Sequence, residues 1–357
     1  MQITAKMVAE LREKSGAGMM KCKEALVACE GDMEKAMDFL RQKGLSSADK
    51  RAGRSTSQGL VVPMTTADKR HAGIVEVNCE TDFVAKTDGF IAFANNLAKL
   101  VLDNPSVKSV EDLNKLSYEG QSIDDYRKSV IANTGENVTI SRAEHLDVED
   151  GKDGLFDTYV HEGGAIGVIV QVEAASSAAA SDAETARLAH DVALQAAAMN
   201  PIALNQEAVA QDIRDREYKV GYEKAKAELV VKAVNKALEK AGINPAHVDS
   251  EEHMESNIVK GWITRELVDK AKEIKATVSV EAEKNLKEQM LQNIAKGRLD
   301  KYLKENCLVE QAFVKDQTKT IKDIVEEASK KVNAKLNIVA FRRWARGESS
   351  AKAEAAE

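Results

Sequence analysis

The first 54 residues carry apolar side chains at helical spacing in three short runs. Residues three or four positions apart lie on one face of a helix, so each run predicts a short amphipathic helix. The runs are Met7, Val8 and Leu11; Cys22, Ala25, Leu26 and Cys29; and Met33, Ala36, Met37 and Leu40. Thr4 and Asp32 are suited to cap the first and third helices, and Gly44 is expected to close the third. The pattern predicts an N-terminal three-helix domain at 1–54, with a polar, basic linker at 45–58.

Two later segments share the same order of elements, a strand, a helix and an Asn-Pro pair. Ile74–Val77 precedes a helical pattern that ends at Asn104-Pro105, and Ile169–Val172 precedes one that ends at Asn200-Pro201. From isoleucine to asparagine is 30 positions in the first copy and 31 in the second. An apolar run at 60–62 and a turn-like segment before Ile74 also predict an antiparallel hairpin. The repeat predicts two pseudo-repeated core subdomains with small antiparallel sheets, at 55–140 and at 141–222 with 296–341.

The region between 206 and 300 is rich in helix-forming residues. It is interrupted at Gly242–Pro245, and apolar positions keep helical spacing on both sides. This predicts a projecting helical hairpin or coiled coil at 223–295. A last strand is expected at Asn337–Phe341, followed by a C-terminal module and disordered tail at 342–357. The predicted fold class is therefore α+β.

Composition narrows the classes of function. A chain of 357 residues suffices for two or three domains, and its net charge of −7 makes direct nucleic-acid binding a poor first hypothesis. The one dense basic run, Arg342–Arg346, is short. None of the four cysteines forms a C-x-x-C pair, which fits a reducing cytosol. Because no signal peptide and no apolar run near the ~20 residues of a bilayer span is recognisable, we expect a cytoplasmic protein without membrane contact.

The sequence contains no recognisable catalytic motif. Its six histidines fall in different segments, and it has no P-loop, nucleophile elbow or dinucleotide-binding glycine motif after a strand. The glycine-rich segment Gly163–Gly167 precedes a strand, so it is expected to turn the backbone beside His161 instead of binding phosphate at a helix N-terminus. His161 itself is open to a structural or a contact role. We expect no catalytic residue, no metal ligand and no cofactor, and therefore a binding protein that is not an enzyme.

One aromatic residue stands outside every periodic run. Phe83 follows the strand at Ile74–Val77, in a chain of which only 4% is aromatic. Two interpretations stay open: Thr81 or Asp82 caps a helical turn whose Phe83 enters the core, or Phe83 is an exposed anchor for another protein. The corresponding loop of the second copy, Ala174–Ser181, lacks the acidic-aromatic pair, and we interpret it as only a connection.

Four motifs resemble those of bacterial elongation factor Ts, the family of guanine-nucleotide exchange factors for elongation factor Tu. They are Met7–Met20 with Cys22–Leu26; Val77–Lys86; Tyr159–Gly167; and Gly297–Glu305 with Gln311–Lys315. Together they span most of the chain. The run Val77–Lys86 resembles the family's signature loop and is the most specific of the four.

The resemblance implies a function and a set of contact residues. The protein would bind GDP-bound elongation factor Tu, displace its Mg²⁺ and promote release of GDP and exchange for GTP. The implied partner-binding residues are Thr81, Asp82, Phe83, Val84 and Ala85, with Phe83 as a wedge, and elsewhere Arg12, Met19, Met20 and His161. Since adjacent helical residues cannot share one face, one of the two methionines is expected to be exposed. The N-terminal domain would resemble a ubiquitin-associated (UBA) domain in shape while binding the GTPase.

Further hypotheses stay open at this stage. The long helical region at 223–295 fits a coiled coil for a homodimer, extra partner contacts, or an insertion without function. The alternative function is a non-catalytic helical adaptor that binds partners through the three-helix domain and the coiled coil. Direct RNA binding is a third hypothesis, which the acidic balance disfavours.

Overall fold

The computed structural model describes residues 3–15, 17–49 and 51–348. Within them, helices and small antiparallel sheets are combined, which confirms the α+β fold class. The chain divides into two compact units: one runs to Leu204 and resumes at Ala312, and the other is Asn205–Gln311. The predicted disordered tail falls largely on 349–357, which lies outside the described residues.

Three helices begin the first unit, as the apolar runs predict. They are α1 (Ala5–Ser15), α2 (Met19–Ala28) and α3 (Met33–Asp49). The hydroxyl of Thr4 accepts a hydrogen bond from the N–H of Met7 at 3.3 Å, and Asp32 accepts one from the N–H of Lys35 at 3.0 Å, so both predicted caps are confirmed. The predicted end at Gly44 is wrong, because α3 continues through the first residues of the supposed linker to Asp49. One glycine costs a helix only about 1 kcal/mol and need not end it.

The first core subdomain is built on a three-stranded antiparallel sheet of order β1-β2-β5. Its elements are β1 (Gln58–Thr65), β2 (His71–Cys79), α4 (Asp82–Ala85), α5 (Asp88–Asp103), α6 (Val110–Leu113), β3 (Ser117–Tyr118), β4 (Gln121–Ser122), α7 (Ile123–Thr134) and β5 (Val138–Asp147). The predicted hairpin is confirmed as β1 and β2, which pair in antiparallel register. The apolar face of α5, which includes Phe90, Phe93 and Leu97, packs against this sheet and closes the core.

The second core subdomain begins in the same way. Its first elements are β6 (Asp153–His161), β7 (Ile166–Ala174), α8 (Ser177–Ala180) and α9 (Ala183–Met199). The helical unit then interrupts it.

The helical unit contains four helices and short 3₁₀ turns. The helices are α10 (Gln211–Lys240), α11 (Glu251–Val259), α12 (Arg265–Asn285) and α13 (Glu288–Asn306). Helix α10 packs against both α12 and α13, and an apolar cluster that includes Val234, Leu238 and Met254 closes one end of the unit. No helix among the described residues is both long enough and apolar enough to cross a membrane.

The second subdomain is completed after the helical unit. Its remaining elements are β8 (Ala312–Phe313), β9 (Asp316–Thr320), α14 (Ile321–Lys331) and β10 (Leu336–Ala345). The sheet has the order β10-β7-β6, so a strand from the end of the chain pairs with one encoded before the helical unit.

The two subdomains repeat the same elements at a fixed offset, which confirms the predicted pseudo-repeat. The second copies of β1, β2, α4 and α5 begin 95 residues later, at 153, 166, 177 and 183 in place of 58, 71, 82 and 88. The second loop forms the one-turn helix α8 in the position of α4 and has no acidic-aromatic pair. That this loop is only a connection stays a prediction.

Several predicted boundaries cut through regular elements. The boundary at 140/141 falls inside β5 and that at 341/342 inside β10. The limits of the helical region at 223 and 295 fall inside α10 and α13. Backbone pairing of β5 with β2 and of β10 with β7 extends these two strands past the predicted boundaries.

Candidate functional site

Strand β2 is a buried support for the turn that follows it. Its residues from Ala72 to Cys79 are all buried, and it pairs with β1 on one side and β5 on the other. The thiol of Cys79 donates a hydrogen bond to the carbonyl of Thr81 at 3.1 Å. Burial raises the pKa of this thiol to about 12, and the nearby Glu136 carboxylate adds to the effect. The thiol therefore stays protonated and ties the end of β2 to the turn.

The next residues form the Phe83 turn (residues 80–86), which contains α4. The hydroxyl of Thr81 accepts a hydrogen bond from the N–H of Val84 at 3.4 Å and so caps the helix. Val84 and Ala85 are buried, whereas the side chain of Phe83 is 79% exposed. The capping interpretation is thus confirmed for Thr81, but its core position for Phe83 is wrong. Successive residues of a helical turn point in different directions, and here the buried pair leaves Phe83 in solvent.

Glu136, in the turn between α7 and β5, holds the start of α4. One carboxylate oxygen accepts a hydrogen bond from the backbone N–H of Thr81 at 2.9 Å, and the other accepts one from its hydroxyl at 2.6 Å. Beside it, the carboxylate of Glu80 accepts a hydrogen bond from the N–H of Asn137 at 2.6 Å. Glu136 lies 55 positions from Thr81, so no local spacing in the sequence could have indicated it.

Asp82 is the charged neighbour of Phe83. Its carboxylate lies 2.6 Å from the ammonium group of Lys86, one helical turn away, and this hydrogen bond lowers the pKa of Asp82 below its ordinary value. The carboxylate is therefore ionised at neutral pH. The Lys86 side chain is 74% exposed and that of Asp82 is 44% exposed, so the pair adds little to stability and remains accessible to a partner.

His161 lies at the end of β6, where the chain turns back into β7. Gly163 and Gly164 have φ values of +63° and +103°, which confirms that the glycines serve a tight turn. A Cβ at Gly164 would lie 2.6 Å from a methyl carbon of Leu60 in β1. The His161 ring is exposed, and its Nδ1 lies 3.2 Å from the Tyr159 hydroxyl. Since α4 also packs against β1, this strand supports both the Phe83 turn and the His161 turn.

The other predicted contact residues lie on the three-helix part. Arg12 is exposed, and so are both adjacent methionines, with Met20 69% exposed. The sequence predicts one exposed methionine, whereas both are exposed, because α2 buries the face that carries Cys22, Ala25 and Leu26. The ammonium group of Lys21, next along α2, donates to the carbonyl of Ala132 in α7 at 2.7 Å.

The basic run near the C-terminus is used inside the fold. The Arg342 guanidinium on β10 pairs with both oxygens of Glu144 on β5 at 2.7 and 2.8 Å. The Arg142 guanidinium lies over the Trp344 ring at 4.6 Å from its centroid. These contacts join the two sheets, which gives the run a structural role.

Comparison with known proteins gives one family. The family model described as Elongation factor TS matches residues 80–265 and 233–348. The chain is 42% identical over 346 residues to Elongation factor Ts of Phocaeicola vulgatus, covering 96% of this chain and 98% of that protein. It is 40% identical over 344 residues to that of Bacteroides thetaiotaomicron, with the same shares covered. It is 35% identical over 355 residues to that of Clostridium botulinum, covering 99% and 95%.

Matches of this extent show that the chain is of the translation elongation factor class. The chain belongs to the elongation factor Ts family.

Proposed function

We propose that this protein binds GDP-bound elongation factor Tu, displaces Mg²⁺ from it, and promotes release of GDP and its exchange for GTP. The partner-binding segment is Thr81 to Ala85, with Phe83 as the inserted group. One observation carries the proposal: Phe83 is 79% exposed at the tip of a turn that buried β2 and the Glu136 carboxylate hold in place. The Phe83 side chain is surrounded by solvent and is held in position by a rigid support. Such a side chain is suited to enter a pocket on a partner.

Geometry explains how such a wedge weakens nucleotide binding. Mg²⁺ requires nearly octahedral oxygen ligands at about 2.0–2.1 Å, and in a GTPase it bridges protein and phosphate. A side chain that moves the ligands or the phosphate loop by about an ångström removes part of that coordination. The anionic Asp82 beside Phe83 adds a charge that can compete for donors around the nucleotide.

Exchange of this kind is thermodynamic linkage and requires no bond-making. The factor by which the protein lowers GDP affinity is the factor by which GDP lowers the affinity of the protein. The proposed role therefore needs no catalytic residue and no cofactor, and the protein acts as a non-enzyme. Arg12, Met19, Met20 and His161 are proposed as additional contacts, because all are exposed and lie outside the Phe83 turn.

The test is the release rate of fluorescent GDP from elongation factor Tu. Wild-type protein is expected to accelerate release. In Phe83→Ala the acceleration should be smaller by a factor of at least about 30, which corresponds to about 2 kcal/mol for an aromatic hot spot. The melting temperature of the variant should not change, since the side chain is exposed.

The matched control is Val259→Ala, which truncates another highly exposed apolar residue in the helical unit. Its release rate should equal that of the wild type. Unchanged release with Phe83→Ala would remove Phe83 from the site, and no acceleration by the wild type would contradict the proposed function itself.

The alternative is an adaptor that binds partners without exchange. Exposed apolar groups on both units, Met20 in α2 and Trp262 in the helical unit, support this hypothesis. A stable complex with elongation factor Tu in which GDP release stays slow would favour it. A homodimer through the helical unit, the absence of nucleic-acid and membrane contacts, and a cytoplasmic location stay predictions.

A further inference from the structure

Three potential metal ligands meet on one face of the first sheet, away from the Phe83 turn. His71 begins β2 and lies opposite Asp147 of β5, and His145 stands two residues before Asp147. Because residues two apart in a strand share a face, the register brings all three side chains together. One ligand atom from each lies within 4.8 Å of the others. The six histidines had fallen in different segments of the sequence, so only strand pairing reveals this cluster.

The orientation of His145 is the one that metal-binding histidines adopt. Its ring is 1% exposed, and its Nδ1 lies 2.9 Å from the backbone carbonyl of Val101, near the C-terminus of α5. A carbonyl only accepts, so Nδ1 carries the proton and donates it. In the neutral ring the lone pair is then on Nε2, which points at the Asp147 carboxylate at 2.7 Å. A backbone carbonyl that fixes the tautomer in this way is the usual second partner of a metal-bound histidine.

A glycine makes this contact geometrically feasible. Gly73 is paired with His145 on the neighbouring strand, and a Cβ there would lie 2.9 Å from the backbone nitrogen of Leu102. The end of α5 therefore approaches the sheet closely enough for the Val101 carbonyl to reach the ring. The partial negative charge at a helix C-terminus also favours a cation nearby.

One carboxylate oxygen of Asp147 lies close to a ring nitrogen of each histidine. Asp147 Oδ1 lies 2.7 Å from His145 Nε2 and 2.8 Å from His71 Nδ1. Ligand atoms around a tetrahedral Zn²⁺ lie about 3.3 Å apart, given metal–ligand distances of about 2.0–2.1 Å. The separations here bracket that value, so small side-chain rotations suffice to admit an ion.

We propose that His71, His145 and Asp147 form a binding site for a borderline divalent transition-metal ion such as Zn²⁺. Two imidazole nitrogens and one carboxylate are a ligand set that suits such an ion. His71 and Asp147 are partly exposed, which gives the ion a route in and leaves room for water as a fourth ligand. The ion would cross-link the first residue of β2, the end of β5 and the buried His145, and would therefore stabilise the first sheet.

One charged group opposes the ion. The ammonium group of Lys108 lies 3.5 Å from the other Asp147 oxygen and donates to the His145 carbonyl at 2.8 Å. Like charges at this range weaken cation binding, so the site should have modest affinity while Lys108 is present. Removal of that charge is therefore expected to tighten binding, which a purely structural role of the histidines would not predict.

The test uses the full-length protein freed of metal with a chelator. It is titrated with Zn²⁺, the bound metal is counted after dialysis, and Co²⁺ is added separately to record its visible absorption. We expect one ion per chain, the intense Co²⁺ bands of a tetrahedral site, and a melting temperature that rises with Zn²⁺ concentration. His71→Ala and Asp147→Asn change partly exposed side chains, so both should fold yet lose the ion and the stabilisation.

Two further variants sharpen the result. His253→Ala is the matched control, because His253 also lies within 2.6 Å of an aspartate, Asp249, in an exposed pair to which the described residues add no third ligand. It should keep the full stoichiometry. Lys108→Gln should bind Zn²⁺ about fivefold more tightly. Absence of binding by the wild type, or full stoichiometry in both His71→Ala and Asp147→Asn, would overturn the proposal and leave a hydrogen-bonded cluster only.

Discussion

The one-turn helices α4 and α8 occupy the same position in the two core subdomains and differ in what they present to solvent. Each follows the central strand, and each is capped by a hydroxyl: Thr81 accepts from Val84, and Ser176 accepts from Ala179 at 3.2 Å. In both, the third helical residue is buried and the second is exposed. That second residue is Phe83 in the first copy and an alanine, Ala178, in the second.

This difference separates the needs of the fold from those of function. Both copies need the cap and a small buried residue, because these close the turn onto the sheet. Neither subdomain needs an aromatic side chain at the exposed position to fold, since the second copy forms the same helix without one. Phe83 is therefore not there for stability, which is the strongest structural support for its proposed role at a partner.

A second difference lies in how each turn is held. In the first copy the Glu136 carboxylate binds both the N–H and the hydroxyl of Thr81. Counted from the starts of β5 and β10, the corresponding residue in the second copy is Ala334. An alanine there has no carboxylate, and the neighbouring backbone contact runs from the N–H of Ala175, the counterpart of Glu80, to the carbonyl of Lys335 at 3.0 Å. The first copy therefore has an additional contact, the Glu136 clamp (the Glu136 carboxylate with the N–H and hydroxyl of Thr81), at the turn that carries Phe83.

The largest expected effect follows from making the two turns alike. Asp82 and Phe83 are replaced together by serine and alanine, the residues at the corresponding positions of α8. The acceleration of GDP release should fall by a factor of at least about 30. The folded state should keep its melting temperature, because the second copy shows that the turn forms with these residues. The reciprocal change, Ser177→Asp with Ala178→Phe, should not restore release. Restoration would mean that any exposed aromatic suffices.

A smaller effect is expected from removal of the clamp. Glu136→Ala leaves the N–H and hydroxyl of Thr81 without their carboxylate, so the Phe83 turn should become less well positioned. Preorganisation lost in this way should reduce the acceleration of release by about tenfold, or about 1.4 kcal/mol. Glu149→Ala, which removes an exposed glutamate after β5, is the control. Equal release rates for the two variants would show that the clamp does not position Phe83.

A still smaller effect is expected from the ion pair on the exposed side of α4. Lys86→Gln removes the partner of Asp82 but leaves the carboxylate in place. Exposed pairs contribute little, so GDP release should change less than about threefold and the melting temperature should stay the same. A large loss would instead indicate that Lys86 itself contacts the partner.

The smallest effect is on the free energy of unfolding at high pH, and the GDP release rate at neutral pH is expected to stay unchanged. The thiol of Cys79 has a pKa raised to about 12, and its counterpart in the second copy is Ala174. In the unfolded chain the thiol ionises near its ordinary pKa of 9.0, so the folded state alone keeps the proton above that pH. Stability from this source is thus complete below pH 9 and declines as the pH rises toward 12.

Cys79→Ala is therefore expected to unfold with a shallower pH dependence than the wild type between pH 9 and 12. Denaturant titrations at several pH values measure this, and GDP release at pH 7 should be unchanged. Parallel curves for the two proteins would show that the thiol ionises equally in both states.

Much of the fold followed from local patterns, whereas the site followed only in part. The caps at Thr4 and Asp32 and the hairpin of β1 and β2 depend on residues close in sequence, and the repeat is visible because each copy has its own local pattern of a strand and a helix; all were predicted. The end of α3 was not, because a single glycine is a weak signal against favourable neighbours. The segment of Phe83 was recognised, but residue patterns alone left its exposure undecided.

The sequence by itself determined the three N-terminal helices, the caps at Thr4 and Asp32, the hairpin of β1 and β2, and the repeated order of a strand and a helix. These properties depend on residues within a few positions of each other, whose spacing is visible in the chain. Only the tertiary structure decided that Phe83 faces solvent, that Glu136 clamps its turn, and that His71, His145 and Asp147 converge. The last two depend on the pairing of β2 with β5, and strand register between distant segments is set by burial across the whole sheet.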